Sequence, residues 1–163
     1  MRLPRAPELP DTLVTLSRLQ FAHGFVVVAM ASAIWLPDPV TARPWVPIVH
    51  LLVALYVLLQ VGLYFGAELA REGRTLAPLA SLLLVAACAT PFLPAWLAAP
   101  LMGVAVMLLF AVEKVAAVRD YWPEAWLRGR KQHMQFLMVS LASVLFWLIS
   151  RDNQALLNAA GGG

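Results

Sequence analysis

Cysteine is nearly absent: Cys88 is the only one in 163 residues. One thiol excludes an internal disulfide, a CxxC redox pair and any cysteine-built zinc or iron–sulfur centre within a single chain. Cys88 reads instead as a small residue facing lipid or a neighbouring helix. Charge is scarce as well, at 13% of residues against 61% hydrophobic. Soluble domains average about 25% charged and about 45–50% apolar residues. A soluble fold of this length could not hide so much apolar surface, because burial is limited by the ratio of surface to volume. A bilayer removes that limit by solvating the outer face.

Enzyme signatures are also missing. There is no HExxH, no GxSxG, no Walker loop and no GxGxxG. The longest stretch between apolar segments is Arg119–Gln132, too short for a soluble catalytic domain. The expectation leans away from an enzyme, with no catalytic residue and no metal centre assigned. No internal repeat or low-complexity tract appears.

What remains is a series of apolar segments: Leu13–Leu36, Trp45–Leu69, Thr75–Phe92, Leu97–Val118 and His133–Ser150. A spanning helix needs about 20 mostly apolar residues, with a range of about 17–25. Pro37, Pro39, Pro44, Gly73, Pro91, Pro94, Pro100, Pro123 and Gly129 punctuate the gaps. Pro10-Asp11 suits the start of the first helix, and Gly161–Gly163 reads as a linker or frayed tail. Small residues at Ala29, Ala31 and Ala33 resemble a leader cleavage site, but Arg18 lies too deep for a leader, so an uncleaved helix is expected. The expected fold is all-α, a single five-helix transmembrane bundle over residues 1–160.

Orientation follows from charge. The net charge is +3, but the basic residues flank apolar segments rather than forming a stripe, so nucleic acid is not an expected partner. With the N-terminus inside and five spans, Arg2, Arg5, Arg71, Arg74, Arg119, Arg128, Arg130 and Lys131 fall inside, and only Arg43 and Arg151 outside. That matches the positive-inside bias, and places the C-terminus outside. Trp35, Trp45, Trp96 and Trp147 then fall at outer ends, with Trp122 and Trp126 inside, all at interfacial depth. Arg119–Gln132 reads either as an amphipathic segment on the inner leaflet or as a solvated loop.

Polar groups inside a bilayer are costly, so each is a functional candidate or a bond between helices. In the second segment His50, Val53, Val57, Gln60, Tyr64 and Glu68 share one helical face, and Gly62 and Gly66 lie opposite as a GxxxG packing pair. Ser17, Gln20 and His23 cluster on the first segment; His133, Ser140 and Ser143 share a face of the last. Depth counting places His23 level with Gln60, and Arg18 level with Glu113, as candidate pairs.

Three functional readings follow. His23 and His50, with Gln60 nearby, are candidates for haem b or quinone binding. Arg18, Gln20, Glu113 and His133 are candidates for a quinone or lipid-headgroup site at the inner interface, with Glu68 close by. Glu113, Lys114 and Gln60 are candidates for proton or ion movement, in a small transporter component. Against these stands hydrogen bonding between helices plus snorkelling of Arg18 and Lys114. The leading expectation is a non-catalytic membrane subunit or accessory factor of a larger complex, with lipids and other membrane subunits as partners. High Ala, Leu, Arg and Pro content suggests a bacterial cytoplasmic membrane. In length, expected spans and six tryptophans the chain is similar in outline to the tryptophan-rich translocator family. That likeness is one of gross architecture and carries over no ligand.

Overall fold

The computed structural model describes residues 11–70, 76–114 and 122–161. Arg2, Arg5, Arg71, Arg74 and Arg119, used above for orientation, lie outside the described residues, as does the expected end of the fourth segment. Among the described residues the only regular structure is helical, with no strand. The elements are α1 (Asp11–Ala33), the short α2 (Pro39–Ala42), α3 (Trp45–Ala70), α4 (Ala77–Ala89) followed by a 3₁₀ turn (Thr90–Phe92), α5 (Ala95–Val112) and α6 (Glu124–Gly161).

Four helices are long and apolar enough to cross a membrane: α1, α3, α5 and α6. The third expected span is shorter. Its 13-residue helix and 3-residue turn reach about 25 Å at helical rise, against a hydrocarbon layer of about 30 Å. The chain is thus a membrane protein with several spans.

Local chemistry explains most boundaries. Asp38 caps α2: its carboxylate accepts the Val40 and Thr41 amides at 3.0 and 3.2 Å and the Thr41 hydroxyl at 2.7 Å. Pro39 follows at the first helical position, where its missing N–H costs nothing. The Thr41 hydroxyl, with the Thr41 and Val40 amides, holds the Asp38 carboxyl below the usual carboxylate range. Pro94, in extended conformation, opens α5. Pro100 lies inside α5 and removes one rung of its ladder, which transmembrane helices tolerate. Glu68, near the end of α3, accepts the backbone N–H of Leu76 at the start of α4. Its role is to tie two helix ends together.

The largest departure from expectation is α6. It begins nine residues before His133 and runs 38 residues, about 57 Å, so much of it extends past the hydrocarbon layer. The stretch read as a loop or interfacial segment is helical from Glu124 onward. Trp126 and Trp147 are buried against the other helices. The three-and-four spacing explains both. Trp126, Arg130, His133, Leu137, Ser140, Val144 and Trp147 fall on one buried face of α6.

α6 packs chiefly on α1 and then α5, while α3 packs on α4, α5, α1 and, more lightly, α6. The core runs through these helices, from Val27 and Ile34 through Val53 and Val57 to Met102, Leu109, Leu137 and Val144. The polar face expected on α3 is its buried face: His50, Val53, Val57, Gln60, Tyr64 and Glu68 are all buried. Gly62 and Gly66 were expected to admit a second helix of the bundle, but nothing lies within 4 Å of a Cβ built at either. Close approach occurs elsewhere. A Cβ on Gly24 would meet His133 Nδ1 at 3.0 Å and Cε1 at 3.2 Å, so this glycine lets α6 press its imidazole against α1. Gly129 faces the Ser17 hydroxyl, at 3.6 Å from its built Cβ.

Candidate functional site

Several polar side chains between the helices form a network across α1, α3, α5 and α6. Its first half is aromatic. His23 and His133 stack with centroids 5.2 Å apart, and Tyr56 lies 4.4 Å from His133 and 6.1 Å from His23. His23 Nδ1 stands 3.3 Å from His133 Nε2, and His23 Nε2 stands 3.0 Å from the Leu52 carbonyl. A carbonyl only accepts, so His23 carries its proton on Nε2 when it makes that bond. Its Nδ1 is then an acceptor, and His133 donates from Nε2. The Gln20 backbone lies near the His133 ring, and His133 Nδ1 makes no short hydrogen bond among the described residues.

The second half is ionic. Arg130 Nη2 stands 2.6 Å from Glu113 Oε1, with the Arg130 side chain 0% exposed. The Tyr64 hydroxyl bridges the pair, accepting from Arg130 Nη2 at 3.1 Å and donating to Glu113 Oε1 at 3.2 Å. The guanidinium also lies 5.3 Å from the Tyr64 ring centroid, a cation–π arrangement. Tyr56 brings its hydroxyl near Arg130 without a direct hydrogen bond, and so joins the two halves.

The expected pairings are therefore rearranged. His23 meets His133 rather than Gln60. Glu113 meets Arg130 rather than Arg18, which is exposed. Gln60 is 0% exposed, and neither of its amide atoms has a partner among the described residues. Gln20 is buried with its Nε2 likewise unpartnered. Arg130, expected among the inner basic residues of the Arg119–Gln132 segment, instead belongs to the network. Its signal in the sequence is the three-and-four periodic face that runs from Trp147 through His133 to Trp126, across the charges of Lys131 and Arg128.

Among the described residues no contact joins His23 to His50. Both nitrogens of His23 are engaged by protein atoms, so it offers no lone pair to iron without rearrangement. His50 stands apart from the network. It is 3% exposed, its Nε2 has no partner, and it lines a cavity of about 240 Å³ with Ile48, Leu51, Thr90, Pro91 and Leu93. Lys114 lies at the end of α5 with its ammonium 4.7 Å from the Phe110 ring centroid. Among the described residues, no three His, Cys, Asp or Glu side chains gather closely enough to hold a metal ion.

The network suits a structural bond between helices. Every charged group in it is paired, and its hydrogen bonds join four helices in a medium that offers no water in exchange. Comparison with known proteins found no matching family model, no similar curated protein and no similar solved structure.

Proposed function

We propose that this chain is a non-catalytic integral membrane subunit or accessory factor of a larger membrane complex. The observation that supports it is the mutual engagement of the polar groups in the network. His23, His133, Tyr64, Arg130 and Glu113 bond to one another, while the cavities beside α5, α6 and the α4–α5 turn are lined by other residues, apart from the Glu113 edge of one. A site that turns over substrate needs a reachable group with unused bonding capacity. The Gly62–Gly66 face of α3, open in the single chain, is the place where a partner helix would pack. The reading includes the five-span topology with the N-terminus inside, in a bacterial cytoplasmic membrane. The test is purification in mild detergent, with mass spectrometry of stoichiometric companions. A defined partner set that is lost in Gly62→Leu/Gly66→Leu is the expected result; a solitary chain would defeat the reading.

A second reading has one observation in its favour. His50, whose buried Nε2 has no partner among the described residues, lines a mostly apolar cavity, and an imidazole there is a suitable donor for a quinone carbonyl. Binding of a short-chain ubiquinone that vanishes in His50→Phe would support it. Equal binding by both proteins would remove it.

A further inference from the structure

Two cavities between α5 and α6 meet at Phe110. One, of about 370 Å³, is polar and is lined by Lys114, Arg128 and Lys131 together with Glu113 and Glu124. The other, of about 420 Å³, is lined by Val106, Met107, Met134, Met138 and Val139 beside the single amide of Gln135. They are arranged head to tail. Along α5 the lining passes from Lys114 through Phe110 to Met107 and Val106. Along α6 it passes from Lys131 through Met134 to Met138 and Val139. The eight helical steps of α6 from Lys131 to Val139 give the groove a length of about 12 Å from its charged mouth.

Charge in the mouth is unbalanced toward the positive. Glu113 is already neutralised by Arg130 at 2.6 Å. Glu124 meets Arg128 at 3.6 Å, with both side chains mostly exposed, a loose pair that a stronger anion can displace. Lys114 and Lys131 have no carboxylate partner among the described residues. Their ammonium groups lie 4.7 and 5.9 Å from the centroid of the same Phe110 ring. Two like charges gathered at one ring repel unless an anion sits with them. Below them the wall is apolar and open along the bundle side, with Met107 and Val139 exposed.

We propose that the α5–α6 groove is a binding site for one anionic phospholipid, with its phosphate held by Lys114 and Lys131 and an acyl chain lying along Met107, Met134, Met138 and Val139. The charged mouth alone would suit any phosphate. The continuous apolar half, on helices long enough to cross a membrane, selects a lipid.

The test is native mass spectrometry of the full chain in neutral detergent, titrated with phosphatidylglycerol or with phosphatidylcholine of the same acyl chains. The expected result is a first phosphatidylglycerol held at least about tenfold tighter than phosphatidylcholine, since each basic side chain near a lipid surface contributes about a fivefold factor. Lys114→Gln/Lys131→Gln should abolish that preference without weakening phosphatidylcholine binding. Met138→Trp, which keeps both lysines and fills the tail groove, should weaken phosphatidylglycerol retention as well. Equal affinity for the two lipids overturns the proposal. So does an unchanged preference in the lysine variant or, should that variant fail to fold, unchanged phosphatidylglycerol retention in Met138→Trp. Displacement of the lipid by millimolar inorganic phosphate would assign the mouth to a free anion and also overturn it.

Discussion

Glu113 closes the C-terminal end of α5, and its carboxylate lies 2.6 Å from the Arg130 guanidinium of α6, with the Tyr64 hydroxyl of α3 hydrogen-bonded to both. Three helices are thereby joined at one point. The pair is 0% and 7% exposed at the side chains, so neither charge has water to fall back on. Removing one member of a buried pair leaves an uncompensated charge, at a cost of about 3–5 kcal/mol. Replacing both with apolar residues of similar size is far milder. Glu113→Leu and Arg130→Met alone should each lower stability in denaturant titration by that order. The double variant should recover most of the loss. Additive losses would mean that the two side chains do not interact.

Gly24 predicts a steric effect. Its built Cβ falls 3.0 Å from His133 Nδ1, so Gly24→Ala drives the imidazole off its stack with His23. Overpacking of this kind costs about 1–3 kcal/mol. The matching change Gly62→Ala, where nothing lies within 4 Å, should be neutral in the isolated chain. Thermal unfolding in detergent distinguishes them, and equal effects at both sites would contradict the observed α1–α6 contact.

The His23–His133 bond predicts protonation sites. With Leu52 accepting from His23 Nε2, both rings should carry hydrogen on Nε2, which nitrogen-15 chemical shifts in the reconstituted protein report. A proton on His23 Nδ1 would show that the Leu52 bond is not made.

Gln60 predicts a gain. A buried amide without partners costs about 1–3 kcal/mol relative to an apolar group of the same shape. Gln60→Met should raise stability in the isolated chain. A loss would mean that the amide has a partner supplied by water, ligand or another chain.

Asp38 predicts a pH effect at the α1–α3 turn. Its folded carboxyl titrates below the usual range, so its capping contribution is complete above the unfolded value and disappears as pH falls through the lower folded one. Amide exchange at Ala42 should accelerate in that acid window. Asp38→Asn should remove the pH dependence. Exchange that is insensitive to pH in the native protein, beyond its intrinsic chemistry, would separate Asp38 from the cap.

Composition alone placed this chain in a membrane as helices, because 61% apolar and 13% charged residues leave no soluble solution at this length. The buried face of α3, from His50 to Glu68, was also legible, since a helix repeats every 3.6 residues whatever surrounds it. Pairing was not. Gln60 and Arg18 lie at suitable depth for His23 and Glu113, but depth says nothing about which helix stands alongside, and α6 supplied both partners. α6 itself was cut short because Arg128, Arg130 and Lys131 interrupt its hydropathy without interrupting its helical period, and Arg130 is tolerated inside only because Glu113 and Tyr64 meet it there. The glycines make the same division: GxxxG spacing marks Gly62 and Gly66, yet the close contact falls at Gly24, because the approach of two helices is a property of their mutual placement and not of either sequence. Sequence by itself determined solvent, helicity and one buried face; the tertiary arrangement decided which polar groups neutralise one another, since that depends on contacts between helices far apart in the chain.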